Sequence, residues 1–123
     1  MVFDDRAAET PPPEDVIEAL DDDQCLELLY ALDEPRSVKA LSEAADVPLS
    51  TTYRKVSKLE GASLVEERTE IRAGGHHRTT YALDVDRVVL DLAGGPPLGI
   101  DIVRPPEPEG KLVEMWSEVR SET

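Results

Sequence analysis

The sequence predicts an α+β chain in which a run of amphipathic helices comes first and two β-hairpins follow. Three observations predict it. Apolar residues recur at three- and four-residue spacing as far as Leu59, and from Leu64 onward they alternate. The alternating stretches are broken at Ala73-Gly74-Gly75 and again at Ala93-Gly94-Gly95-Pro96-Pro97. A helical period that gives way to a period of two, punctuated by Gly and Pro, reads as helices and then ribbons.

Residues 1–13 are polar and close on Pro11-Pro12-Pro13, which marks a flexible N-terminal arm. Pro13 suits the first turn of a short helix over 14–20, with Val16, Ile17 and Leu20 on one face. Asp21-Asp22-Asp23 sets carboxylates at the positive end of the next helix. Its apolar stripe is Leu26, Leu29, Tyr30, Ala31 and Leu32, and Pro35 stops it. Ser37 is an N-cap for 38–45, where Leu41, Ala44 and Ala45 fall at helical spacing.

A short turn follows, in which Asp46 tolerates the left-handed conformation and Pro48 prevents simple continuation. Ser50 then caps a helix running to about residue 60. Thr52, Val56 and Leu59 point inward, leaving Ser50, Thr51, Arg54, Lys55 and Lys58 for the outer face. Strands over 64–71 and 78–83 flank the Gly74-Gly75 turn. Residues 84–104 form an additional hairpin, with Val88, Leu90 and Leu92 on one face before its turn and Leu98, Ile100 and Ile102 after it. Residues 105–123 supply a Pro-rich linker and a closing helix. Leu112, Met115, Trp116 and Val119 share one stripe of that helix and read as a dimerisation surface.

Charge points to a partner. The chain carries 27 Asp and Glu against 13 Lys and Arg, a formal net charge of −14. Between Arg36 and Tyr81, however, eight bases face only six acids. An acidic chain that spares one segment reserves it for an anionic partner. Acidity elsewhere, with four Lys and few aromatics, fits a carboxylate-rich surface that keeps a protein hydrated in a salt-rich cytoplasm.

A single cysteine, Cys25, excludes an internal disulfide and fits a reducing compartment. No apolar run approaches a bilayer span, and the N-terminus lacks a signal pattern, so a cytoplasmic protein without membrane partners is expected. No cofactor is expected either. The sequence holds no nucleophile elbow, no phosphate-cradling Gly-Lys-Ser loop and no Cys/His cluster at ligand spacing, which argues against an enzyme. His76 and His77 are adjacent on a strand and point to opposite faces, a poor arrangement for one metal ion.

Two helices joined by a tight turn and followed by a ribbon match what duplex DNA requires of a reader. One helix fits the major groove, and the preceding helix sets its angle across the backbone. Ser50 and Thr51 are placed to bond phosphates or base edges, and Arg54 can take a guanine edge through two hydrogen bonds. Lys55 and Lys58 suit phosphates. At the Gly-rich ribbon tip, Arg72, His76, His77 and Arg78 would touch adjacent DNA, and Arg36 adds to the basic segment.

Residues 16–83 resemble the winged helix-turn-helix domain of ArsR-type transcriptional regulators, most diagnostically over Val47-Pro48-Leu49-Ser50-Thr51-Thr52-Tyr53-Arg54-Lys55-Val56 and on into Lys58-Leu59-Glu60 and Leu64-Val65. The resemblance implies a recognition helix at about 50–60, a wing at about 72–78, and a homodimer on a two-fold operator. The acidic surface and the added hairpin and helix look like regulators from halophilic archaea. Ser63 stands where the family commonly has Gly, leaving Gly61 to take the turn, and Gln24 replaces a common Arg. The lone Cys25 gives no support to metal sensing.

Two functions are therefore expected to compete. The first is a sequence-specific DNA-binding regulator over 14–83, with 84–104 and 105–123 as additions. The second is a winged-helix protein-interaction module, an adaptor or complex subunit that does not bind DNA. A small-molecule effector is unknown from the sequence.

Overall fold

The computed structural model describes residues 11–106. The expected N-terminal arm, apart from its last residues, lies outside them, as does the closing helix with Leu112, Met115, Trp116 and Val119. Four helices lead: α1 (Pro13–Leu20), α2 (Asp23–Tyr30), α3 (Val38–Ala45) and α4 (Leu49–Gly61). Four strands follow: β1 (Val65–Ile71), β2 (His77–Leu83), β3 (Arg87–Asp91) and β4 (Gly99–Val103). The strands form two separate antiparallel hairpins, β1 with β2 and β3 with β4. This is a winged helix-turn-helix with an extra hairpin.

Local chemistry sets the helix ends. Pro13 opens α1 as its first residue. Asp22 caps α2 through its Oδ1, which accepts from the backbone N–H of Gln24 at 3.0 Å and Cys25 at 3.2 Å. Ser37 Oγ does the same for α3, accepting from Ala40 N–H at 3.1 Å. Asp46 ends α3 in the left-handed region at φ 57°. The turn into α4 is held by Ser42, whose hydroxyl donates to Val47 O.

The N-cap of α4 differs from expectation. Pro48, with no side-chain cap, occupies that position, and Ser50 lies inside the helix. Proline's fixed φ already suits a helix entrance. Thr52, fully buried, donates its hydroxyl toward Pro48 O at 2.9 Å and Val47 O at 3.2 Å.

At the other end of α4, Gly61 stays helical and Ser63 takes the turn at φ 61°. Ser63 N–H donates to Glu60 O at 2.9 Å and Leu64 N–H to Leu59 O at 3.0 Å, the paired bonds of a Schellman motif. Leu59 and Leu64 are both fully buried, which adds the apolar contact that accompanies that motif.

The core joins all four helices to the strands that follow. Val16, Cys25, Leu28, Leu41, Leu59 and Leu64 are fully buried within one cluster. The expected stripe of α2 is shifted. The helix ends at Tyr30, well before Pro35, and Tyr30 is 80% exposed. The buried set is Cys25, Leu28, Leu29 and Leu32, and at 100° per residue Tyr30 falls about 200° from Leu28, on the far side. For the same reason Ala19 is buried in α1 while Ile17 is exposed, and Ala44 of α3 faces solvent.

The β1–β2 register runs from Val65 opposite Leu83 to Ile71 opposite His77. Arg36 and Tyr81 exchange backbone bonds, N–H to O at 3.0 Å and 2.7 Å, so the segment before α3 is stitched to the wing. In the second hairpin Val88 pairs with Ile102 and Leu90 with Ile100. Val88, Ile100 and Ile102 pack on the core. Leu92 lies past β3 and is exposed rather than sharing that face.

Candidate nucleic-acid interface

Helix α4 packs its Thr52, Val56 and Leu59 face inward. The opposite face is a stripe of Ser50, Arg54 and Ser57, spaced i, i+4 and i+7, and all three are exposed. Tyr53 flanks the stripe and is 58% exposed; Thr51 is half-buried on the other flank. Among the described residues Arg54 has no carboxylate partner. Tyr53 and Ser57 were missed by sequence reasoning, although their spacing from Ser50 and Arg54 was the available signal.

One flank of α4 faces the wing. Tyr53, Glu60, Glu67 and Tyr81 lie close enough to influence one another. Burial first, then Glu60, Glu67 and Tyr53, push the Tyr81 phenol up. Burial and the neighbouring Glu67 carboxylate raise Glu60 in turn. Glu67 and Tyr81 are cross-strand partners in the ribbon.

The other flank faces α2, and here the expectation of an outward Lys55 and Lys58 is corrected. Lys55 Nζ lies 2.5 Å from Asp22 Oδ2, with the two side chains only 16% and 14% exposed. Lys58 Nζ reaches the same oxygen at 3.4 Å and Glu18 at 4.0 Å. Flexible lysine stems carry both ammoniums off the stripe to the one carboxylate at the start of α2. The hydrogen bond from Lys55 holds the Asp22 carboxyl well below the usual carboxylate range. Burial opposes that shift, and the Cys25 N–H and Lys58 reinforce it. Next to this pair, burial and then the Asp22 charge push the Cys25 thiol up.

Arg36 is also turned inward. Its Nε donates to Ala31 O at 2.8 Å, bonding the carbonyl that ends α2, and its Nη2 pairs with Asp33 at 3.0 Å. Its guanidinium is thus bound within its own chain. On the wing, β1 and β2 are joined by the tip Ala73-Gly74-Gly75, with Gly74 at φ 86° and Gly75 at φ 81°. Arg72 N–H donates to His76 O at 2.7 Å, closing the tip and leaving Arg72, His76 and His77 exposed. Arg78 sits lower, its Nε 3.7 Å from Glu70.

Of the eight bases between Arg36 and Tyr81, five (Arg36, Lys55, Lys58, Arg68 and Arg78) thus face carboxylates of the same chain. Lys39, Arg54 and Arg72 have no such partner among the described residues. Also among these residues, no group of three or more His, Cys, Asp or Glu is placed to hold a metal ion. No helix there is long and apolar enough to cross a membrane.

A second surface lies away from the polar stripe. Leu20, Leu26, Tyr30, Leu83, Val85 and Val88 line an open, mainly apolar groove of about 300 Å³ between α1, α2 and the second hairpin.

The solved structures similar to the chain include two of possible transcriptional regulators. One is the homodimeric winged helix-turn-helix DNA-binding domain of a possible ArsR-family transcriptional regulator from Mycobacterium bovis. It is 29% identical over 67% of this chain and 72% of that one, with a TM-score of 0.49. The other is a possible transcriptional regulator from Methanosarcina mazei, 26% identical over 57% of this chain and 63% of that one, with a TM-score of 0.43. No match was found among curated proteins. Residues 20–68, from the end of α1 into β1, match the family model of a helix-turn-helix domain.

Proposed function

We propose that this protein is a sequence-specific double-stranded DNA-binding transcriptional regulator that acts as a homodimer. The observation that carries the reading is the free face of α4. Ser50, Arg54 and Ser57 stand exposed in one row, in a segment that matches a helix-turn-helix domain. Such a row, with Thr51 beside it, offers hydroxyls and one guanidinium to base edges in a major groove. The wing would lie on flanking backbone or minor groove, with Arg72, His76 and His77 nearest the DNA and Arg78 behind them. Residues 14–83 are the DNA-binding unit in this reading.

The dimer is supported by the apolar groove on α1, α2 and β3 and by the exposed Tyr30 at its rim. Leu112, Met115, Trp116 and Val119 are the proposed apolar stripe for such an interface. Two copies would set recognition helices in major grooves about one helical turn apart. The carboxylate-rich surface suits a cytoplasm of high salt, as in halophilic archaea.

The test is selection of a binding site from a random duplex pool in molar potassium chloride, followed by titration of that site and of mixed-sequence DNA. Arg54→Ala is expected to weaken the selected site about 10- to 100-fold, the worth of one bidentate base contact, and mixed DNA far less. Equal losses on both would remove Arg54 as a reader. Failure to bind any duplex would return the adaptor reading.

A further inference from the structure

We infer that Asp22 sets how steeply DNA binding depends on salt, because it withholds the Lys55 and Lys58 ammoniums from DNA phosphates and leaves recognition to the row Ser50, Arg54 and Ser57. The inference rests on the DNA-binding reading above and names what tunes it.

Three observations carry it. Asp22 Oδ2 faces both ammoniums, at 2.5 Å and 3.4 Å, while its Oδ1 is occupied by the N–H groups of Gln24 and Cys25. One carboxylate is thereby fixed at both oxygens. The Lys55–Asp22 pair is largely withdrawn from water, which protects it from the salt that screens exposed pairs. Finally, the row that remains free on α4 holds a single cation, Arg54, among hydroxyl groups.

The consequence follows from how nucleic-acid affinity divides. Cations on phosphates bind every sequence alike and release counterions, so their contribution collapses in salt. Hydrogen bonds to base edges discriminate among sequences and do not depend on counterion release. A carboxylate that takes two lysines away from phosphate lowers affinity for every duplex by about the same factor and flattens its fall with salt. Base contacts then carry a larger share of the binding that persists in concentrated salt. The device suits a protein whose other surfaces are built for concentrated salt.

The experiment compares the full chain with Asp22→Asn, which keeps an N-cap for α2 because Asn caps as well as Asp. Affinity for mixed-sequence duplex and for the selected site is measured from 0.2 to 2 M KCl on the order of the range set by screening. Freeing both lysines should steepen the salt dependence on mixed DNA by up to about 1.8 in log–log slope, about 0.9 for each added phosphate contact. Tighter binding at the low-salt end should accompany it, by about the same factor on mixed DNA and on the selected site. Asp22→Asn combined with Lys55→Gln and Lys58→Gln should return the slope to its starting value. Asp101→Asn on the second hairpin removes the same charge and should leave the slope alone.

An unchanged slope in Asp22→Asn, or an equal change in Asp101→Asn, would overturn the inference while leaving DNA binding intact. Absence of binding by every variant would instead remove the DNA reading, and this inference with it.

Discussion

The guanidinium of Arg104 meets the carboxylate of Asp84 at 3.2 Å, just past the last strand of the second hairpin. The same Nη1 donates to the carbonyl of Asp84 at 2.9 Å and to that of Ser63. One side chain therefore ties the end of β4 to the end of β2 and to the turn that closes α4. Asp84 is buried, and its N–H is spent on Leu64 O at 3.0 Å. The second hairpin is part of the support of α4.

Arg104→Met should therefore be costly although Arg104 lies outside α4 and the wing. It removes the cation from a buried carboxylate and a donor from two carbonyls. Breaking such a pair costs about 2–3 kcal/mol once the partial exposure of the arginine is allowed for. For a domain of this size that lowers the thermal midpoint by about 10 °C. Adding Asp84→Asn should recover part of the loss, because it removes the charge of the buried carboxylate along with the cation that faced it. A shift under about 0.5 kcal/mol in Arg104→Met, the usual range for surface changes, would show the tie to be incidental.

The turn after α4 yields a paired prediction. Ser63 holds a left-handed conformation that costs a residue with a Cβ about 1 kcal/mol, so Ser63→Gly should stabilise by about that amount. Gly61 is helical, and a Cβ built there meets nothing within 4 Å. Gly61→Ala should add about 0.5–1 kcal/mol by the ordinary helix preference. Urea midpoints read both. Loss of stability in Gly61→Ala, or no gain in Ser63→Gly, would contradict the assignment of the turn to Ser63.

That turn also shows what the sequence could and could not tell. Signals contained in a few neighbouring residues were legible: Ser37 as a cap, Asp46 as a left-handed stop, and the core-facing side of the second hairpin at Val88, Ile100 and Ile102. Each is decided by local backbone chemistry or by strict alternation. The choice between Gly61 and Ser63 was not decided that way. Burial of Leu59 and Leu64 fixes where the helix must end, and that position demands the left-handed residue whatever occupies it. Lys55 and Lys58 fail for a related reason. A helical wheel places their stems, but the ammoniums go where a carboxylate 33 and 36 residues earlier in the chain awaits them. Long-range ion pairs leave no periodic trace. Exposed Tyr30 is a third case, since an aromatic at near-stripe spacing looks like core until the true stripe of Cys25, Leu28, Leu29 and Leu32 is known.

Acid should separate two carboxylates on the flanks of α4. Asp22 has its pKa depressed in the fold, chiefly by the hydrogen bond from Lys55. A depressed carboxyl contributes stability that is complete above its unfolded value, about 3.9, and is lost as pH falls through the folded value. Glu60 has the opposite sign. Burial and Glu67 raise its pKa, so the fold favours its protonated form and carries a penalty once it ionises. The stability gap between the wild type and Asp22→Asn should stay constant from pH 7 down to about 5 and shrink below about 4. Glu60→Gln should gain no more than about 0.5 kcal/mol at pH 7, as for an exposed position, and that gain should vanish in acid. Denaturant titrations at each pH measure both gaps. If the Asp22→Asn gap instead widened in acid, the carboxylate would not be held ionised by Lys55, and the ion pair on which the flank of α4 depends would be wrong.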